Sequence, residues 1–83
     1  MNLMWIDKSW DEYLSWEHDK RTLRKIHTLL KEIQRTPFEG TGMPEELRHE
    51  LSGWWSRRID ERNRMVYKVE NDTVVIMRCK GHY

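Results

Sequence analysis

The chain has 83 residues, 15 Lys/Arg against 14 Asp/Glu for a net charge of +1, 37% hydrophobic and 35% charged residues, and five tryptophans. That is one small domain, too aromatic for a disordered chain and lacking the roughly 20-residue apolar run of a membrane helix. The single Cys79 excludes an internal disulfide, and the N-terminus MNLMWIDKSW has no basic stretch followed by an apolar one, so no export signal is expected and the cytoplasm is the expected compartment.

Residues 2–6, NLMWI, read as a short strand. Trp10, Tyr13 and Leu14 then fall at helical spacing, with Asp7 or Ser9 as the expected N-cap. A second helix begins near Asp19 and carries an apolar stripe of Leu23, Ile26, Leu29, Leu30 and Ile33 between Lys and Arg. It ends at Thr36-Pro37, because the residue before a proline is pushed out of the helical region. PFEGTGMP, residues 37–44, is a loop. Strands are expected over 46–51, 54–60, 63–70 and 73–80, with a break at Gly53 and a hairpin turn at Asn71-Asp72. The order predicts an α+β domain spanning 1–83, with two N-terminal helices packed on one face of a mainly antiparallel, twisted sheet.

Strand alternation sorts the side chains. Met65, Tyr67 and Val69 with Val75, Met77 and Cys79 are expected to face the helices. Arg64, Arg78 and Lys80 are expected on the open face, joined by Arg58 and, by parity, His82. Charge is also segregated along the chain. Residues 1–47 carry seven basic and nine acidic residues, and residues 48–83 carry eight and five. Six of those eight are arginines, whose planar fork suits phosphate.

No CxxC, HExxH, P-loop, GxGxxG or GxSxG is present, so zinc, nucleotide and serine-hydrolase chemistry have no support. Cys79-x-x-His82 is half a metal site at best, and no metal or cofactor is expected. Cleaving RNA without metal needs a base for the 2′-hydroxyl, cations for the charge growing on phosphorus, and an acid for the leaving 5′-oxygen. Glu45 or Glu46 can supply the base, Arg58, Arg64 and Arg48 the cations, and His82 the acid, since imidazole titrates near neutrality. The plain alternatives are a turn-exposed Glu45-Glu46, a solvated Arg57-Arg58, packing roles for Trp54 and Trp55, and a frayed His82-Tyr83.

Taken together, the run RTPFEGTGMPEELRHELSGWWSRRIDERNRMVYKV, residues 35–69, with WIDKSWDEYLSW at 5–16 and the terminal His82-Tyr83, closely resembles the YoeB/Txe toxins, a branch of the RelE superfamily. The resemblance implies a RelE-like microbial RNase fold. It implies a ribosome-dependent endoribonuclease that cuts A-site mRNA and is neutralised by a YefM- or Axe-like antitoxin. By position it implies Glu45 as general base, Glu46 as a variable neighbour, Arg64 as the transition-state arginine, Arg58 as its supporting cation, His82 as general acid and Tyr83 as a positioning aromatic. Arg48 matches a position often held by lysine, so an electrostatic role carries over and a proton-transfer role does not. Gly81 stands where some relatives carry a bulkier residue, which implies a looser tail. A homodimer is implied as well, and contact with DNA only through the antitoxin complex. A non-catalytic module that blocks the ribosomal A site accounts equally well for an Arg-rich face. Alanine at Glu45 and His82 separates the two, because a pure binder tolerates both.

Overall fold

An aliphatic stripe and a side-chain cap account for the longest element. Asp19 accepts hydrogen bonds from the Thr22 amide (3.0 Å) and hydroxyl (2.7 Å), and α2 runs from there over Lys20–Arg35. Ile26, Leu29, Leu30 and Ile33 are buried along it, Leu23 is only partly buried, and the helix stops at Thr36 as the following proline requires. The computed structural model describes residues 1–82. Before α2 come β1, Asn2–Trp5, and α1, Ser9–Leu14; after it come β2, Glu45–Glu46, a 3-10 turn at His49–Leu51, β3, Trp55–Arg58, β4, Arg64–Glu70, and β5, Thr73–Arg78. Among the described residues no helix is long and apolar enough to cross a membrane.

The fold is α+β, two helices and one five-stranded mixed sheet in the order β1-β5-β4-β3-β2. β2 to β5 pair antiparallel, and β1 lies parallel beside β5. Asn71 and Asp72 both have left-handed φ, 51° and 58°, the geometry a two-residue hairpin needs, and Glu70 pairs with Thr73 across it.

Three local expectations are corrected and a fourth is qualified. The cap of α1 is Lys8, whose side chain makes no capping bond; Asp7 has φ 53°, and Ser9 is buried as the first helical residue. The strand expected over 46–51 is only Glu45–Glu46. β2 and β3 are antiparallel neighbours, so the chain must reverse between the Leu47 amide and the Trp54 carbonyl (2.9 Å), and that reversal consumes residues 48–53. In β5 the core-facing residues are Val74 and Ile76, opposite Val69 and Tyr67, not Val75 and Met77. Cys79 nevertheless joins the core, because a bulge on β5 at Met77, where the register shifts from Tyr67↔Ile76 to Val66↔Arg78, flips the alternation. Arg78, opposite Val66, keeps to the open face as expected, but it and Lys80 are tied to α1 and so are not free cations. Arg78 Nε donates to Glu12 (2.9 Å), and Lys80 Nζ donates to Ser15 Oγ (3.0 Å) while lying 5.1 Å from the Trp16 ring centroid.

The α2 stripe shares one core with Met65, Tyr67, Val74, Ile76 and Cys79. Burial in that core pushes the Cys79 thiol up to about 12, so it stays a neutral, unreactive thiol.

Three carboxylates titrate below their usual range: Glu32, chiefly through bonds from Thr41, Asp19 through bonds from Thr22, and Asp60, where burial raises the value but bonds from Asn63 and Arg62 outweigh it. A lowered native pKa contributes stability that is complete above the unfolded value and disappears as pH falls through the native one. The melting temperature is therefore expected to hold at neutral pH and fall as the pH drops below about 4. Glu32→Gln should cost more at pH 7 than at pH 3, because below the ordinary carboxylate range the unfolded chain is protonated and part of the contribution of Glu32 is already lost. Thermal melts of both proteins at the two values check this; an equal loss at both removes Glu32 from the acid transition.

Candidate active site

Strand register builds one polar face. Glu45 lies opposite Ser56 and Ser56 opposite Val66, so these three point the same way, and Arg58 and Arg64, two residues further along their strands, point with them. Glu46, opposite Trp55, alternates to the other side. Ser56 and Val66 are buried and form the floor. The core of the preceding section occupies the opposite side, since Met65 and Tyr67 alternate with Arg64 and Val66.

Arg58 and Arg64 are direct partners across the β3–β4 ladder. Side chains so placed have Cβ atoms about 5 Å apart, and like charges there repel. Among the described residues neither forms an ion pair. Arg58 is exposed, and its guanidinium has no hydrogen-bond partner among the described residues. Arg64 is half-buried and aimed by backbone: its Nη1 donates to the carbonyls of Asp60 (2.7 Å) and Asn63 (3.1 Å). Two adjacent guanidiniums without an ion pair among the described residues form a site suited to an anion.

Glu45 is delivered by the loop over residues 36–44, and that loop is tied down by a residue that sequence reasoning passed over. Arg57 is fully buried, and all five of its N–H groups are used. Nε donates to Tyr67 Oη (3.1 Å), Nη1 to Glu32 Oε1 and the Thr41 carbonyl (both 3.1 Å), and Nη2 to the carbonyls of Thr36 (2.7 Å) and Glu39 (2.8 Å). Tyr67 in turn donates to the Pro37 carbonyl. Gly42 then lies flush on β3, its carbonyl accepting from the Arg58 amide at 2.7 Å; a Cβ on Gly42, at φ 89°, would stand 2.9 Å from the Arg58 carbonyl oxygen. The signal for Arg57 was its parity: it alternates with Arg58 and so points to the core side with Met65, its partner across the ladder.

The C-terminal segment is held rather than frayed. Glu12 accepts from the Cys79 amide (2.8 Å), Trp16 Nε1 donates to the Cys79 carbonyl (3.0 Å), and Gly81 bonds through both backbone groups to Asn63 and Arg64. Gly81 itself sits at φ 79° with both backbone groups bonded. His82 follows it, exposed, one residue from the Arg64 ladder position. Tyr83 lies outside the described residues.

Thus Glu45, Arg58 and Arg64 share one face, and the bonds of Gly81 bring the backbone that carries His82 to its Arg64 end. Arg48 lies toward the other end of β2. It precedes the 3-10 turn at the far end of β2, three residues and roughly 10 Å of extended chain from Glu45, on the side away from Arg58. Near that end Lys68 Nζ lies 4.8 Å from the Trp54 ring centroid, a cation and aromatic pair on the same face. Among the described residues no group of three or more His, Cys, Asp or Glu side chains is placed to hold a metal ion.

Comparison with known proteins identifies the family and the fold. Residues 5–83 match the family model described as YoeB-like toxin of bacterial type II toxin-antitoxin system. The chain is 55% identical to Toxin YoeB of Escherichia coli K12, over the full length of both. Its structure superposes on the YoeB/ParE toxin from Agrobacterium tumefaciens with a TM-score of 0.96 at 41% identity, covering all of both chains. It also superposes on the toxin-length chains of the YoeB-YefM complex (36% identity) and the YoeB dimer (38%) from Staphylococcus aureus, each with a TM-score of 0.91 and covering all of this chain and 98% of the other.

Proposed function

Since the chain belongs to the YoeB-like toxins of bacterial type II toxin–antitoxin systems, we propose that it is a ribosome-dependent endoribonuclease that cuts A-site mRNA in the cytoplasm by acid/base chemistry on the 2′-hydroxyl. Glu45 takes the 2′-hydroxyl proton. The 2′-oxygen attacks phosphorus while the bond to the 5′-oxygen breaks, and His82 protonates that leaving oxygen. The products are an upstream 2′,3′-cyclic phosphate and a downstream 5′-hydroxyl. Arg64, with Arg58 beside it, carries the charge that builds on the phosphorane oxygens. Tyr83 positions the reacting groups from the chain end. Arg48, at the other end of β2, contacts a neighbouring phosphate instead of the reacting one. All of the proton and charge handling is assigned to side chains, with no metal in the step.

The observation that carries this reading is the Arg58–Arg64 pair: two like charges set opposite each other, without an ion pair among the described residues, on the face that also holds Glu45. Such a pair costs folding free energy, and a bound phosphate reverses that cost. A YefM-like antitoxin is the proposed neutralising partner, as in the complex titled YoeB-YefM, and a second copy of the chain is a proposed partner, as in the structure titled YoeB dimer. DNA is reached only through the antitoxin complex.

The test is cleavage of a defined message on purified ribosomes, with the upstream fragment's 3′ end identified, comparing the wild type with His82→Ala. The expected result is a cut in the A-site codon bearing a cyclic phosphate, with a loss of about 10²-fold or more in the variant, the scale of a lost general acid. Stable ribosome binding without any cut by the wild type would replace the enzyme with an A-site blocker.

A further inference from the structure

The β3–β4 turn does more than connect two strands. Asp60 and Asn63 close it: the Asp60 carboxylate accepts from the Arg62 amide (2.8 Å) and the Asn63 amide (2.7 Å), and the Asn63 side chain donates its Nδ2 to both Asp60 oxygens, at 3.0 and 3.1 Å. Committing Nδ2 to Asp60 decides which way the amide faces. Its Oδ1 must point outward, and there it accepts from the Gly81 amide at 2.8 Å. The next residue completes the clamp, since the Arg64 amide donates to the Gly81 carbonyl at 3.0 Å. One hydrogen bond alone would leave Gly81 free to swing about it. Two bonds from consecutive residues fix its direction, and His82 is the next Cα, about 3.8 Å further on. The carbonyls that aim the Arg64 guanidinium are those of Asp60 and Asn63, so one turn sets the guanidinium and the tail relative to each other.

We propose that Asn63 is a positioning residue for His82: its side-chain amide, oriented by Asp60, holds Gly81 and thereby places the imidazole beside Arg64. Asn63 touches no substrate in this scheme and acts through the backbone of Gly81. The proposal rests on the assignment of His82 as the acid, and it predicts a defect in rate instead of binding, because a displaced acid leaves the phosphate contacts of Arg58 and Arg64 in place.

The experiment measures single-turnover cleavage on programmed ribosomes as a function of toxin concentration. It compares wild type, Asn63→Leu, Asn63→Asp, the double exchange Asp60→Asn with Asn63→Asp, and His82→Ala. Asn63→Leu keeps the branched shape and loses the side-chain bonds to Asp60 and Gly81, and a loss of about tenfold to 10²-fold in maximal rate is expected, with the half-saturating concentration within about threefold, as for a reacting group misplaced by an ångström. Hydrogen exchange of the Gly81 amide should speed up in the same variant, while exchange in β4 stays protected. Asn63→Asp sets a carboxylate against Asp60 and should be impaired. The double exchange restores an amide donor facing a carboxylate and an oxygen facing Gly81, and should recover most of the rate. That rescue is not expected of a residue that merely fills space. A fully active Asn63→Leu with a fast-exchanging Gly81 amide, beside an inactive His82→Ala, overturns the positioning role alone. A His82→Ala that cleaves like the wild type overturns the acid assignment and this proposal with it. Global loss of exchange protection in Asn63→Leu together with failure of the double exchange to restore the rate also overturns it, in favour of a purely structural turn.

Discussion

Arg64→Ala is expected to lower the single-turnover rate of ribosome-dependent cleavage by about 10²–10³-fold, the loss seen when a preorganised donor to a developing oxyanion is removed. The expectation follows from how the guanidinium is held. Its Nη1 is spent on the Asp60 and Asn63 carbonyls, which removes the freedom of a long side chain and leaves the rest of the fork to face phosphate. Arg64→Lys should recover little, because an ammonium is a point charge that cannot be held by two carbonyls and also present a planar pair of donors. Stability should move the other way. Arg64 faces Arg58 across the ladder, so removing one charge relieves a repulsion, and the melting temperature should be unchanged or slightly higher. Activity down with stability not down marks a residue kept for chemistry. A variant that cleaves within threefold of wild type would move the reacting phosphate away from this pair, and a large drop in melting temperature would make Arg64 a structural residue.

Arg57→Met is expected to be the most damaging single substitution to the fold, although Arg57 is adjacent in sequence to Arg58. Removing it leaves Glu32 without its buried cation, takes a donor from the carbonyls of Thr36, Glu39 and Thr41, and leaves Tyr67 Oη with only its bond to the Pro37 carbonyl. Leaving buried acceptors short of their donors costs about 1–3 kcal/mol each, so about 3–5 kcal/mol in all is expected, against a total of roughly 4–12 kcal/mol for a domain of this length. In a domain this small that corresponds to a melting temperature lower by about 15–30 °C. Arg57→Lys should fare little better, since three donors on one nitrogen cannot span five acceptors arranged around a plane. Thermal melts check both; a drop of less than about 5 °C would show that the loop carbonyls find other partners. Cleavage should fall as well even below the melting point, because the loop that delivers Glu45 is the one Arg57 ties down.

The parts of this protein that depend on local chemistry could be read from the chain. The Leu23/Ile26/Leu30/Ile33 spacing, the start near Asp19 and the Thr36-Pro37 stop are settled within a few residues, so the extent of α2 was legible, and the structure adds that Asp19 caps it. The Asn71-Asp72 turn and the placing of Arg58 and Arg64 on one side of neighbouring strands needed only turn preference and alternation. What the tertiary structure alone decided is whatever depends on a partner distant in sequence. The register against β4 turned Val74 and Ile76 inward where Val75 and Met77 were expected, and a bulge then kept Cys79 inward; nothing in 73–80 announces an extra residue that exists only relative to Val66 and Tyr67. Arg57 reads as a surface cation until Thr36, Glu39, Thr41, Glu32 and Tyr67 are brought around it, because a buried charge is tolerable only where acceptors from separate segments converge. The same holds at the chain end: His82 looks like a fraying histidine in sequence, and Asn63 and Arg64, 18 residues from Gly81 in the case of Asn63, are what hold the tail beside the arginines.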